Sequence, residues 1–144
     1  MSQPAGRILV VEDNRDTAVL IEHALTKHCV PAHVVAMESG EAALEHLLGT
    51  EDTPPARLPD LILLDLKLPR LSGIDVLEAL RADERTRRVP VVIFTSSKED
   101  SDIQACYAAG ANSYVRKPVD FEAFTSALEL ATRYWLTLNE RPPG

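Results

Sequence analysis

Five reactive side chains stand directly behind apolar runs. Glu12 and Asp13 follow R-I-L-V-V at 7–11, Asp65 follows L-I-L-L at 61–64, Thr95 follows V-P-V-V-I-F at 89–94, and Lys117 follows S-Y-V-R at 113–116. Each alone is an ordinary cap or turn residue. Gathered in one place, three carboxylates would repel one another and resist ionisation unless cations offset them. A hard divalent ion and an ammonium would serve. Magnesium accepts carboxylate, carbonyl and water oxygens in near-octahedral geometry, so Asp13 and Asp65 are the expected direct ligands. The backbone carbonyl of Lys67 is a neutral ligand two residues on, and Glu12 reaches the ion through water. No target is assigned to the Lys67 side chain. Such a site suits phosphoryl transfer, where positioning and charge neutralisation are most of the catalytic task. Asp65 is then the nucleophile that forms an acyl phosphate, Lys117 and the ion offset its oxygens, and Thr95 donates its hydroxyl to one of them. Water later hydrolyses the bond.

Those side chains meet only if the apolar runs are parallel strands with their carboxyl ends together. The β-branched run at 7–11 reads as a buried strand. Helix one covers 15–29 and ends before Pro31. A second strand spans 33–36, and Ser39 caps a helix that Gly49 stops. The polar stretch 50–59, with three prolines, is the longest irregular connection. The run at 61–64 is apolar without alternation, as a central strand covered on both faces must be. Ser72 starts a third helix, the fourth strand spans 89–94, and a fourth helix runs from Ser101 to Ala109 before Gly110. A short fifth strand at 113–116 is followed by a helix from Asp120 to about Leu138. Five β-α units in series predict an α/β fold, an open, doubly wound and mostly parallel sheet with helices on both faces.

Composition narrows the function classes. The chain has 144 residues, 15 Lys and Arg against 22 Asp and Glu, and a net charge of −7, which argues against a free-standing nucleic-acid binder. No apolar run approaches the length of a membrane span, and no secretory leader opens the sequence. Cys29 and Cys106 form no C-x-x-C motif or disulfide framework, so a cytoplasmic location is expected, without nucleic acid or membrane as a partner. One domain over residues 7–140 is expected to fill the length, with tails at 1–6 and 141–144, and an appended output domain is not expected.

Four blocks then match a known pattern. L-V-V-E-D-N, L-I-L-L-D-L-K-L-P-R-L-S-G, V-V-I-F-T-S and Y-V-R-K-P occur in the order of the receiver domain of two-component response regulators, and the chain strongly resembles that family along nearly all its length. The resemblance implies a flavodoxin-like three-layer sandwich with strand order 2-1-3-4-5. It implies that Asp65 takes phosphate from a phosphohistidine on a sensor histidine kinase, with slow autodephosphorylation rather than metabolic catalysis. Thr95 corresponds to the switch hydroxyl, Tyr114 to the switch aromatic and Lys117 to the phosphate-contacting lysine, with a cis peptide before Pro118. The segments Y-A-A-G-A-N-S-Y at 107–114 and T-R-Y-W-L-T-L-N-E at 132–140 are similar to the small phytochrome-associated response regulators. That likeness implies a bacterial phytochrome as kinase and a homodimer through the fifth strand and last helix. Lys67 departs from it, standing where those relatives commonly have Asn.

The residues add their own weight to an interface: Phe121, Tyr134, Trp135 and Leu138 load the final segment with apolar area, and adjacent Tyr134 and Trp135 cannot share one helical face. The dispersed histidines support neither zinc nor an internal phosphohistidine relay, and the cysteines read as structural. R-T-R-R at 85–88 reads as a solvated patch. Two alternatives remain, a magnesium-dependent phosphohydrolase with an Asp nucleophile, and a partner-binding domain with no phosphoryl role. The first lacks a second Asp two residues after Asp65, since Lys67 stands there.

Overall fold

The structure is a computed structural model that describes residues 6–28 and 31–143. Strands and helices alternate strictly: β1 (Gly6–Val11), α1 (Arg15–His28), β2 (Ala32–Met37), α2 (Gly40–Leu48), β3 (Leu61–Leu64), α3 (Gly73–Ala82), β4 (Val91–Thr95), α4 (Asp100–Ala109), β5 (Ser113–Arg116) and α5 (Phe121–Arg133). A π-helical turn over Tyr134–Leu138 closes the chain. Every pairing in the sheet is parallel and the strand order is 2-1-3-4-5, the expected flavodoxin-like arrangement. Residues 1–5 of the expected tail at 1–6, and Cys29, lie outside the described residues; Gly6 belongs to β1 instead and pairs with Ala32.

Because successive strand residues point to opposite faces, the apolar runs divide into two half-cores. Leu9, Val11, Ile62, Leu64, Val91 and Ile93 pack on α2, α3 and Cys106 of α4. Ile8, Val10, Leu61, Leu63, Val92 and Phe94 pack on α1 and α5, where Phe94 meets Phe124 edge-on with ring centroids 5.4 Å apart. This double covering is why β3 shows no polar alternation. Each aliphatic side chain buried this way contributes about 1.5–3 kcal/mol.

The helix starts follow the expected caps. Ser39 accepts from the Ala42 N–H, Asp120 accepts from that of Ala123, and Ser72 forms a full capping box with Asp75. Helix α4 begins one residue earlier than expected, at Asp100, and β4 starts at Val91 because Pro90 has no N–H to give the ladder. Gly110 ends α4 with a φ of 108°, and a Cβ there would lie 2.8 Å from Cγ of Arg81.

Three readings need correction. The last helix does not run as an α-helix to Leu138: beyond Arg133 it widens, and the N–H of Asn139 bonds the carbonyl of Tyr134 at 2.8 Å. The wider turn brings Tyr134 and Trp135 together edge-on, with centroids 5.0 Å apart. R-T-R-R is not simply solvated. Thr86 is fully buried and donates to the Leu80 carbonyl at 2.7 Å, while Arg85 donates to the carbonyls of Leu47 and Ala56, tying down the 50–59 loop. Carbonyls left over at helix ends attract these donors. Finally, no peptide bond among the described residues is cis, so Lys117–Pro118 is trans, the form that X-Pro bonds favour by about 0.5–1 kcal/mol.

Candidate functional site

The ladder continues past the strand ends and places the reactive residues. Beyond β1, the Glu12 N–H bonds the Met37 carbonyl; beyond β3, the Asp65 N–H bonds the Val11 carbonyl, each at 3.0 Å. Beyond β5, the Lys117 N–H bonds the Thr95 carbonyl at 2.7 Å. The four crossovers through α1, α2, α3 and α4 thus bring Glu12, Asp65, Thr95 and Lys117 to one end of the sheet.

Lys117 reaches inward. Its Nζ lies 2.5 Å from Oε1 of Glu12 and 3.7 Å from Oδ2 of Asp65, over the Phe94 ring at 6.0 Å. Glu12, only 3% exposed, also accepts the Asn14 N–H on its second oxygen at 3.1 Å. Burial raises the Glu12 carboxyl above its ordinary range, Asp65 adds to the rise, and the bond from Lys117 opposes it. Asp65 is buried and Asp13 is exposed. Carboxylate oxygens of Glu12, Asp13 and Asp65 all lie within 4.8 Å of one another. Three hard oxygen donors at that spacing, one solvent-facing, fit a hard divalent cation that keeps some water.

Thr95 has no exposed surface, and its Oγ1 lacks a hydrogen-bond partner. A buried hydroxyl without a partner costs about 1–3 kcal/mol. Behind it, Tyr114 donates its hydroxyl to the Ser97 carbonyl at 2.9 Å. Burial pushes the Tyr114 phenol up.

One contact was not foreseen. The Lys67 ammonium pairs with Oδ2 of Asp102 at 3.3 Å, and the same oxygen accepts the Ser97 hydroxyl at 2.5 Å. The Ser97 hydroxyl, then Lys67, hold the Asp102 carboxyl below the usual range. Nothing in the sequence joins residues 67 and 102; only the neighbouring positions of β3 and β4 do. The residues expected at an interface sit elsewhere. Phe121, Tyr134 and Leu138 are exposed, and Trp135 is half-buried against the α1–α5 half-core.

Residues 8–129 match the model of the response regulator receiver domain. The chain belongs to that family. The receiver is 38% identical over 135 residues to the probable methanogenesis regulatory protein FilR2 of Methanothrix harundinacea, covering 94% of this chain and 86% of that protein. Among solved structures it resembles the phosphorylated cyanobacterial phytochrome response regulator RcpA, with a TM-score of 0.89 and 33% identity over 96% of this chain and 99% of that one. It also resembles the Mn(2+)-bound form of the response regulator Rcp1, with a TM-score of 0.86 and 28% identity over the same shares of the two chains. The acidic cluster of this receiver is consistent with phosphorylation on an Asp and a signalling role. No helix among the described residues is long and apolar enough to cross a membrane.

Proposed function

We propose that this receiver accepts a phosphoryl group on Asp65 from a phosphohistidine of a sensor histidine kinase and signals through the contacts its altered surface makes. The observation that carries this reading is Lys117 placed within reach of both Glu12 and Asp65, together with the unpartnered Thr95 hydroxyl at the end of β4. In the transfer, an Asp65 carboxylate oxygen bonds to phosphorus while the phosphorus–nitrogen bond breaks, and the imidazole takes a proton. Lys117 neutralises phosphoryl oxygens, and Thr95 donates its hydroxyl to one of them. Asp13 and Asp65, with the Lys67 carbonyl and Glu12 through water, would hold magnesium, which would supply further charge neutralisation for the phosphoryl oxygens. The later attack of water on phosphorus returns Asp65 to a carboxylate and releases phosphate. Tyr114 and Pro118 flank this response, Tyr114 through its bond to Ser97 and Pro118 at the exit of Lys117.

The likeness to RcpA supports a bacterial phytochrome as the kinase. A second copy of the chain as partner is supported by the edge strand β5 and by exposed Leu130, Tyr134 and Leu138. Beside them is an apolar cavity of about 380 Å³ lined by Val92, Val115, Ala131 and Trp135, among others.

The test is phosphoryl transfer from labelled phytochrome kinase. Label should pass to the receiver in magnesium, fail to pass with chelator, and fail with Asp65→Asn. Equal labelling of parent and Asp65→Asn would overturn the assignment of Asp65.

A further inference from the structure

The half-core under α2 ends in basic side chains. Alternation along β1 puts Arg7 on the same face as Leu9 and Val11. The parallel register sets His33 of β2 beside Arg7, as it sets Val35 beside Leu9 and Met37 beside Val11. Helix α2 carries His46 in its last turn. The loop behind it brings Arg57 close, because the Ala56 N–H bonds the His46 carbonyl at 2.9 Å. Arg7, His33, His46 and Arg57 line one cavity of about 20 Å³, together with Val35 and Pro59. Four basic side chains from β1, β2, α2 and the 50–59 loop thus stand where the alternation would otherwise place another apolar layer.

None of the four forms an ion pair with a carboxylate among the described residues, although the chain carries 22 Asp and Glu against 15 Lys and Arg. The acid at the end of the same loop, Asp60, is engaged elsewhere. Its Oδ2 accepts the backbone N–H of Arg7 at 2.8 Å, and its Oδ1 pairs with Arg141. Cations at a helix C-terminus can answer the helix dipole, but of the four only His46 lies in such a turn. Arg7 and His33 are on strands, and Arg57 is in a loop. Arg7 and His46 are half-buried, so they are not simply solvated.

We propose that this cavity binds a phosphate group, free or borne by a small monoester, at the end of the sheet opposite Asp65. Each guanidinium supplies a planar fork of N–H donors suited to phosphate oxygens, and the imidazoles add donors from the other two elements. Donors arriving from four elements suit a tetrahedral oxyanion better than a planar carboxylate. The cavity has room for about one water, so the phosphate enters by an oxygen. The rest of the ligand stays in solvent beside His33 and Arg57, which are exposed. A dianion neutralises both guanidinium groups, and its binding raises the thermal midpoint of the chain. The site is independent of the phosphoacceptor role of Asp65.

The experiment titrates the full chain with inorganic phosphate, glycerol 3-phosphate and acetate at constant ionic strength. Chelator is present throughout, so that no divalent ion draws phosphate to the acidic mouth. Backbone amide resonances locate binding, and calorimetry gives the affinity. Both phosphates should shift the amides of residues 7, 33, 46 and 57 to saturation, with acetate about tenfold weaker for want of a second charge. An ester that binds more tightly than free phosphate identifies a monoester as the ligand; otherwise it is free phosphate. Arg57→Gln should weaken binding about tenfold, the order of one hydrogen bond from a charged group. Because Arg57 is exposed, this substitution leaves the core intact. Arg88→Gln removes a guanidinium from the neighbouring recess beside Leu58 and should leave binding unchanged. Equal losses in the two variants would show a diffuse basic end and overturn the site. Shifts confined to Asp65 and Lys117, no saturable shift, or acetate binding as tightly as phosphate would overturn it as well.

Discussion

Gly73 opens helix α3 directly against the backbone of Asp65. A Cβ on Gly73 would press on the Asp65 carbonyl oxygen and stand 2.9 Å from Cα of Leu66, both of them backbone atoms without a side chain to swing aside. The Gly73 N–H meanwhile donates to the Leu66 carbonyl at 2.9 Å. Gly73→Ala should therefore cost about 1–3 kcal/mol, the range for overpacking a filled site. It should also lower the rate of phosphoryl uptake by displacing Asp65. Urea unfolding and acetyl phosphate labelling measure the two effects.

Arg81 fastens the opposite end of the molecule. Its guanidinium donates to the carbonyls of Gly110, Arg87 and Val89 and to Oδ1 of Asn112, at 2.9–3.0 Å. A lysine keeps the charge but lacks the planar fork that reaches several acceptors at once. We expect Arg81→Lys to lose about 2–4 kcal/mol in urea unfolding, given about 1.5–3 kcal/mol for a hydrogen bond from a charged group. Labelling of Asp65 should be unchanged under native conditions.

The two predictions mark what could be read from the chain alone. Strands β3 and β5 were legible to the residue: an unbroken apolar run ends at Asp65, and S-Y-V-R is bounded by the Gly110 turn before it and by Lys117 and Pro118 after it. The gathering of Glu12, Asp65, Thr95 and Lys117 was legible too, since parallel strands must bring their carboxyl ends to one side. Arg81 and Arg85 were not, because a charged residue on a helix or loop looks the same whether it meets water or a carbonyl from a distant segment. The pairing of Lys67 with Asp102 was hidden for the same reason. The widening after Arg133 escaped as well: apolar spacing over five residues does not separate an α-turn from a π-turn.

Lys117→Ala should expose how the acidic mouth is balanced. Glu12 is buried and would lose its 2.5 Å ammonium partner, keeping only the Asn14 N–H. The stability loss at neutral pH should be about 1–3 kcal/mol, the cost of an unsatisfied buried group, lowered where water enters the vacated space. Magnesium should raise the thermal midpoint of this variant more than that of the parent, because in the parent the ammonium already offsets part of the charge. Equal shifts in calorimetry would contradict a neutralisation of the carboxylates shared between the ammonium and the bound cation.

Cys106 should be inert in the folded chain. It has no exposed surface, and burial, with a smaller contribution from Asp102, pushes its thiol up to about 11 from 9.0. Iodoacetamide at pH 8 should leave it unmodified until denaturant is added, as read from the peptide carrying residue 106. The same shift makes the thiolate easier to form in the unfolded chain. The unfolded state therefore binds fewer protons between about pH 9 and 11, and the Cys106 contribution to stability should be lost as the pH rises through that window. Cys106→Ala should flatten that part of the profile.

The π-turn over Tyr134–Leu138 also changes how the surface of the last helix must be mapped. Its closing bond, from the N–H of Asn139 to the carbonyl of Tyr134, spans one residue more than an α-turn. A helical wheel drawn straight from Phe121 to Leu138 consequently misplaces the final residues by roughly one position, or about 100° around the axis. Cross-linking pairs and charge-reversal scans on this face should be chosen from the widened register, in which Leu136 lies over Gly6 at the start of β1 and Arg141 turns back to pair with Asp60.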